Sequence, residues 1–370
     1  MATAAFASRF ADHPALVFWE TTRACALACR HCRASAQPEP LPGELSHEEA
    51  VALLRSIASF GPPRPVVVFT GGDLLMRPDL DELVARAHAL GLVTAVSPSA
   101  TERLDEGTIA RFHALGVHGL SVSVDAGPAG HDRLRGVPGT YARSFVALRR
   151  ALAHGLGAQV NTVVMRSTVD DLADVAFALL EAGVPTWEVF FLVATGRALR
   201  SEYLTPAATL DVLAFLLEAT RYGLVLRTVE GPFVRRAEEE MRAGRLRPGP
   251  LHARLAQRLY ALAGPPSGPV RIARAGTLDG DGIVFVAHDG TIQPGGLLPL
   301  PLGNVRTADL TAVYREHPLL RAIRARRLTG ACGRCALRDS CGGSRARAFA
   351  TSGDALGPDP ICPWAEAAAT

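Results

Sequence analysis

From about residue 15 to residue 229 the chain alternates short apolar runs with amphipathic stretches. The apolar runs 16–19, 66–70, 92–97, 119–124, 158–164 and 188–193 are rich in Val, Phe and Leu. Several are apolar at consecutive positions, as strands buried on both faces are. Helical periodicity lies between them, near 79–90, 105–115, 141–154 and 169–182. Ser46-His47-Glu48-Glu49 opens another helix with capping-box spacing. A strand followed by a helix, six times over, predicts a parallel α/β barrel or a doubly wound sheet.

After the sixth run the rhythm changes. Residues 204–221 are helical in pattern, and 224–229 read as a short strand. Residues 237–263 are rich in Arg, Ala and Leu and predict helix with a Pro/Gly break near 248–250, and Gly264-Pro265-Pro266-Ser267-Gly268 reads as a linker. Residues 283–287 and 291–293 flank His288-Asp289-Gly290 and predict a hairpin turning at Asp-Gly, with two short helices before a Cys-rich tail. No solenoid repeat is present. The pattern divides the chain into a barrel core (1–230), a helical connector (231–280) and a C-terminal domain (281–370).

The 48% hydrophobic content of 370 residues is enough for a large core, and a net charge of +3 is too small to imply a nucleic-acid partner. All 39 basic residues are Arg, so no lysine is available as a Schiff base or general base. The first twenty residues hold no secretory-type apolar core, and no apolar run is long enough to span a bilayer. A cytoplasmic chain with no membrane partner is expected. Disulfides are rare in that compartment, and seven Cys is an odd number. Metal or cluster ligation is the better explanation for their grouping.

Cys25, Cys29 and Cys32 follow the first strand in a C-x3-C-x2-C loop. One loop of this spacing can wrap a [4Fe–4S] cubane, leaving one iron without a protein ligand. A zinc site completed by His31, or three buried thiols, are the alternatives. Cys332, Cys335, Cys341 and Cys362 supply four more thiolates, enough for a fully ligated cubane or a tetrahedral zinc.

The run Trp19-Glu20-Thr21-Thr22-Arg23-Ala24-Cys25, continued to His31-Cys32, resembles the cluster loop of radical S-adenosylmethionine (SAM) proteins. Its Cys29-Arg30-His31-Cys32 ending is similar to the branch that modifies heme and heme d1 side chains, and the likeness extends from about residue 16 to residue 364. The resemblance implies a partial (β/α)6 TIM-type barrel with a small C-terminal iron–sulfur domain. It implies that Cys25, Cys29 and Cys32 hold a [4Fe–4S] cluster whose open iron binds SAM. Reductive cleavage then gives a 5′-deoxyadenosyl radical that abstracts a substrate hydrogen, with the protein positioning the cofactors. Gly71-Gly72-Asp73 matches a Gly-Gly-Glu-type motif that receives the SAM amino group, with Asp73 in place of Glu. Paired glycines would let bare backbone approach the ligand. By the same resemblance, Ser97, Ser99, Ser123, Asp125, Asn161, Arg166 and Leu192 contact the cofactor from strand ends, where parallel barrels build their sites.

The tail around Cys332, Cys335, Cys341 and Cys362 resembles an auxiliary-cluster domain of SPASM or twitch type. Three plus four ligands use all seven Cys, while Ser344 and Gly295 stand where relatives carry further Cys, so one auxiliary [4Fe–4S] cluster is implied. The implied substrate is a tetrapyrrole side chain, with a peptide or another small molecule as the alternative. An external donor such as flavodoxin or ferredoxin would supply the electron. Only about fifteen residues precede the first strand, so no fused peptide-recognition domain is expected there. The non-enzyme alternative is a zinc-binding Cys-rich protein. His131-Asp132-Arg133-Leu134-Arg135-Gly136 reads as a solvated loop, or else as a lid in which Arg133 or Arg135 clamps a carboxylate.

Overall fold

Seven strands pair in parallel in chain order: β1 (Leu16–Glu20), β2 (Val66–Thr70), β3 (Thr94–Val96), β4 (Gly119–Ser123), β5 (Gly157–Val164), β6 (Thr186–Phe191) and β7 (Val225–Val229). The computed structural model describes residues 8–273 and 276–365. Residues 1–7, part of the stretch read as lacking a secretory core, lie outside it.

Helices α1 (His47–Ala58), α2 (Leu80–Ala89), α3 (Glu106–Ala114), α4 (Pro128–Arg135), α5 (Thr140–Ala153), α6 (Leu172–Glu181) and α7 (Pro206–Ala219) make the crossovers. The capping box read from the sequence starts α1: Ser46 accepts the Glu49 N–H, and the Glu49 carboxylate accepts the Ser46 N–H. Trp19, Phe69, Phe112 and Trp187 are fully buried between sheet and helices. Trp187 keeps its indole N–H satisfied by donating to Thr162 Oγ1 at 2.9 Å. This is the parallel sheet of a partial TIM barrel, and it brings the carboxyl ends of β1–β6 to one rim.

The Arg-rich stretch after β7 forms two helices, α8 (Val234–Arg242) and α9 (Pro250–Ala263). The Asp211 carboxylate of α7 accepts N–H groups of Gly249 and Leu251 and so starts α9. Because α9 covers its outer face, α7 is buried almost all round. The proposed linker (264–268) lies against Arg221 and Tyr222, and the residues after it reach β7, where Leu226 and Ile272 form a parallel bridge that protects the sheet edge.

The chain returns to the opposite edge. β8 (Leu278–Asp279) leads into β9 (Gly282–Val286), which pairs in parallel with β1 from Leu16↔Ile283 to Trp19↔Val286. β10 (Thr291–Gln293) folds back antiparallel after the Asp289-Gly290 turn, and β11 (Gly303–Asn304) follows it. The C-terminal hairpin is thus hydrogen-bonded to the same sheet as the barrel strands. Helices α10 (Leu310–Glu316), α11 (Pro318–Arg324), α12 (Gly330–Arg334) and α13 (Arg345–Ser352) complete the tail.

Candidate active site

The loop after β1 is held by backbone bonds that prolong the β1–β2 ladder. Thr21 donates to Thr70 O, Gly72 to Thr22 O at 2.8 Å and Asp73 to Ala24 O at 2.7 Å. A Cβ on Gly71 would lie 2.6 Å from Thr22 O, and one on Gly72 would fall on the Ala24 carbonyl. The glycine pair therefore docks the strand end onto the cysteine loop, a tighter constraint than ligand access alone. From the other side Arg197 donates to Cys29 O at 2.8 Å and to Ala36 O at 2.9 Å. Gly196, at φ +59°, leaves room for the carbonyls of Cys32 and Arg33.

So fixed, Cys25, Cys29 and Cys32 open on one cavity of about 230 Å³. Leu27 N–H donates to Cys25 Sγ at 3.3 Å and Ala36 N–H to Cys32 Sγ at 3.4 Å. Ser99 Oγ lies 3.5 Å from Cys25 Sγ. Gly71, Gly72, Ser97, Ser99, Ser123, Asn161 and Leu192 line the same cavity.

Three residues expected at the cofactor stand elsewhere. Asp73 is buried behind the wall, where it accepts from Leu75 N–H at 3.2 Å and Thr101 Oγ1 at 3.0 Å; burial pushes its carboxyl up. Arg166 is exposed beyond the end of β5, its N–H on Glu202 O. Asp125 lies behind the cavity lining and reaches it through other side chains.

Cys332, Cys335, Cys341 and Cys362 are also brought together, around a small apolar cavity closed by Phe233 and Trp364. Backbone N–H groups of Leu337 and Asp359 point at Cys335 and Cys332 Sγ, both at 3.4 Å. Burial pushes the free thiols of Cys341 and Cys362 up to about 12 and about 11, so losing those protons calls for a metal partner. Among the described residues, no three His, Cys, Asp or Glu side chains gather tightly enough to hold a single metal ion. His31 does not complete a zinc site either, since its Nε2 faces Asp125 Oδ2 at 3.5 Å. All-sulfur donor sets spread around a cavity, with N–H groups aimed at sulfur, fit cubane clusters.

A profile of the radical SAM superfamily matches residues 19–179. The "AdoMet-dependent heme synthase" of Nitratidesulfovibrio vulgaris is 35% identical over 355 residues, spanning 94% of this chain and 92% of that relative. This chain belongs to the radical SAM superfamily. It is an enzyme of that superfamily, whose cofactors are a [4Fe–4S] cluster and SAM. The "Pre-heme d1 synthase" of Dinoroseobacter shibae is 27% identical, with 94% of this chain and 85% of that one covered. The solved structure of Streptococcus suis SuiB bound to precursor peptide SuiA shares the fold at a TM-score of 0.69 and 16% identity, covering 95% of this chain and 76% of that one.

In this radical SAM enzyme the segment from His131 to Gly136 is helix rather than loop, with His131 and Leu134 buried and Arg133 exposed. It lies in and closes α4, where almost every residue has a structural task. Asp125 N–H donates to His131 Nδ1 at 3.1 Å, and the fully buried ring is held down at about 4 by burial and the Arg135 guanidinium. It is therefore neutral near physiological pH. Asp132 accepts N–H groups of Gly139 and Tyr141 and starts α5. Leu134 O accepts the Arg30 N–H at 2.9 Å, and Gly136, at φ +76°, seats against Ala28. Arg135 lines the cavity and bonds Asp125 at 2.5 Å. Burial alone would raise the Asp125 carboxyl; the Arg135 guanidinium leads the interactions that override it and hold it at about 2.

One available signal marked this helix in advance. Pro128 follows Gly127 and Gly136 ends the stretch, the Pro-first, Gly-last asymmetry of helices, and the i, i+4 spacing puts His131 and Arg135 on one face.

Proposed function

We propose that this radical SAM enzyme modifies a carboxylated side chain of a tetrapyrrole. In that reading Cys25, Cys29 and Cys32 hold the SAM-cleaving cluster, and Cys332, Cys335, Cys341 and Cys362 hold one auxiliary [4Fe–4S] cluster. The convergence of one loop's three thiols on a cavity with Ser97, Ser99, Ser123 and Asn161 is the observation that carries it. When bound, the cluster supplies the electron that cleaves SAM to methionine and a hydrogen-abstracting 5′-deoxyadenosyl radical.

The chain's own residues bind and shield. Gly71 and Gly72 present bare strand end, and Ser97, Ser99, Ser123 and Asn161 present polar atoms to SAM. Arg33 lines the cavity with its guanidinium held by Glu20 at 3.0 Å, and it turns positive charge toward a substrate carboxylate. The relatives of greatest identity cited above are named for heme synthesis, which favours a tetrapyrrole over a peptide. Among the described residues no helix is long and apolar enough to cross a membrane. The site requires reduced thiols, so we place the enzyme in the cytoplasm with an external low-potential one-electron donor.

The test is anaerobic turnover of reconstituted enzyme with SAM, reductant and a propionate-bearing iron tetrapyrrole. Release of 5′-deoxyadenosine together with a decarboxylated tetrapyrrole supports the reading. Release of 5′-deoxyadenosine with the tetrapyrrole unchanged, and a modified peptide instead, overturns it.

A further inference from the structure

Arg135 joins two groups of different kinds. Its Nη2 bonds Asp125 Oδ2 at 2.5 Å, while Nη1 reaches Cys29 Sγ at 3.7 Å. Its Nε is buried without a partner among the described residues. The carboxylate it leans on cannot swing away. Asp125 Oδ1 accepts the Val163 N–H at 3.0 Å, and the Asp125 N–H is taken by His131. Arg197 gives Nε and Nη1 to backbone carbonyls of the cysteine loop rather than to a thiol, and Arg33 pairs with Glu20.

We propose that Arg135 is a positioning residue that sets the reduction potential of the cluster held by Cys25, Cys29 and Cys32, and that Asp125 opposes it. This rests on the ligand assignment made above. Reduction adds one electron and one negative charge without breaking a bond. A cation and an N–H···S bond favour the more negative state and raise the potential. The adjacent carboxylate acts in the opposite sense, and burial keeps both effects from being screened by water. One ion pair thus holds two handles of opposite sign on one quantity.

The experiment is an anaerobic potentiometric titration of reconstituted enzyme, followed by the electron paramagnetic resonance (EPR) signal that changes on adding SAM. Dithionite is the reductant. Arg135→Met should lower the reduced-to-oxidised ratio at fixed potential by about tenfold, which is about 59 mV for one electron. Arg135→Lys should recover part of that loss. Asp125→Asn should move the ratio the other way. Iron content is measured beside each titration, and if Arg135→Met fails to load iron, the Lys and Asn variants decide. Opposite shifts at full iron content support the proposal. Unmoved potentials in iron-loaded variants overturn it, as do shifts of one sign accompanied by iron loss, the mark of a merely structural role. A parent chain that takes up no iron overturns the ligand assignment itself, and this proposal with it.

Discussion

Arg347 and Asp359 share two hydrogen bonds, Nε to Oδ1 at 2.8 Å and Nη2 to Oδ2 at 2.7 Å, and solvent reaches neither side chain. The remaining Arg347 donors reach Phe191 O at 3.1 Å and Leu192 O at 3.2 Å, at the end of β6, and Glu230 O at 2.6 Å. Asp359 stands three residues before Cys362, so one guanidinium ties the C-terminal thiols to the rim of the SAM cavity. Removing Arg347 leaves a buried carboxylate unpaired, which costs about 3–5 kcal/mol. Arg347→Met should lower stability by that amount in denaturant titration. It should also reduce auxiliary-cluster iron while sparing the SAM-responsive signal.

Gly295 and Asp279 exclude one another's growth. A Cβ on Gly295 would overlap the Asp279 carboxylate, which fills the space a side chain there would need. Gly295→Ala should therefore destabilise by about 1–3 kcal/mol through overpacking. Asp279→Ala should restore most of that in the double variant, giving a coupling visible in a double-mutant cycle of unfolding free energies.

Asp279 also predicts a pH dependence. Burial, then the neighbouring Glu230 carboxyl, pushes Asp279 well above the ordinary carboxylate range, and burial raises Glu230 as well. Acids raised in the folded state lend stability that is full below the unfolded pKa. That stability falls as pH climbs from there through the raised value. Between about pH 5 and about pH 8 the Tm of the parent should fall more than that of Asp279→Asn. Equal slopes in the two would contradict an Asp279 carboxyl raised in the folded state.

Gly72→Ala tests the docking of β2 on the cysteine loop. Its methyl would strike the Ala24 carbonyl and lie 2.7 Å from Arg23 O, both backbone atoms with little room to retreat. Loss of stability by about 1–3 kcal/mol, with weakened retention of the SAM-binding cluster, is expected. Unfolding titration and iron analysis after buffer exchange check it.

The strands and most crossover helices were legible because their signals are local. Val66-Val67-Val68-Phe69 can hardly be anything but a buried strand, and Ser46 with Glu49 announces a helix start. The cysteine loop was legible from spacing and likeness. What escaped depends on distant pairing. Nothing near Ile283 reveals that β9 will lie parallel to β1, since the ladder joins residues some 270 positions apart. Nor does the polar look of His131, Asp132 and Arg135 betray burial. Their bonds go to Asp125, Gly139 and Tyr141, six to ten residues away on neighbouring elements, and periodicity arguments score such residues as exposed. Arg166 shows the converse: adjacency to a strand end did not bring its side chain to the cavity.

Iron analysis and EPR of the anaerobically reconstituted Cys29→Ala variant, before and after adding SAM, bear most directly on the three-thiolate site. Full loading of the parent gives about eight irons per chain and a SAM-perturbed signal. Three-thiolate ligation predicts that Cys29→Ala retains about four irons, all in the auxiliary site, and shows no spectral response to SAM. A Cys29→Ala protein that keeps the full iron complement and the SAM response would contradict it.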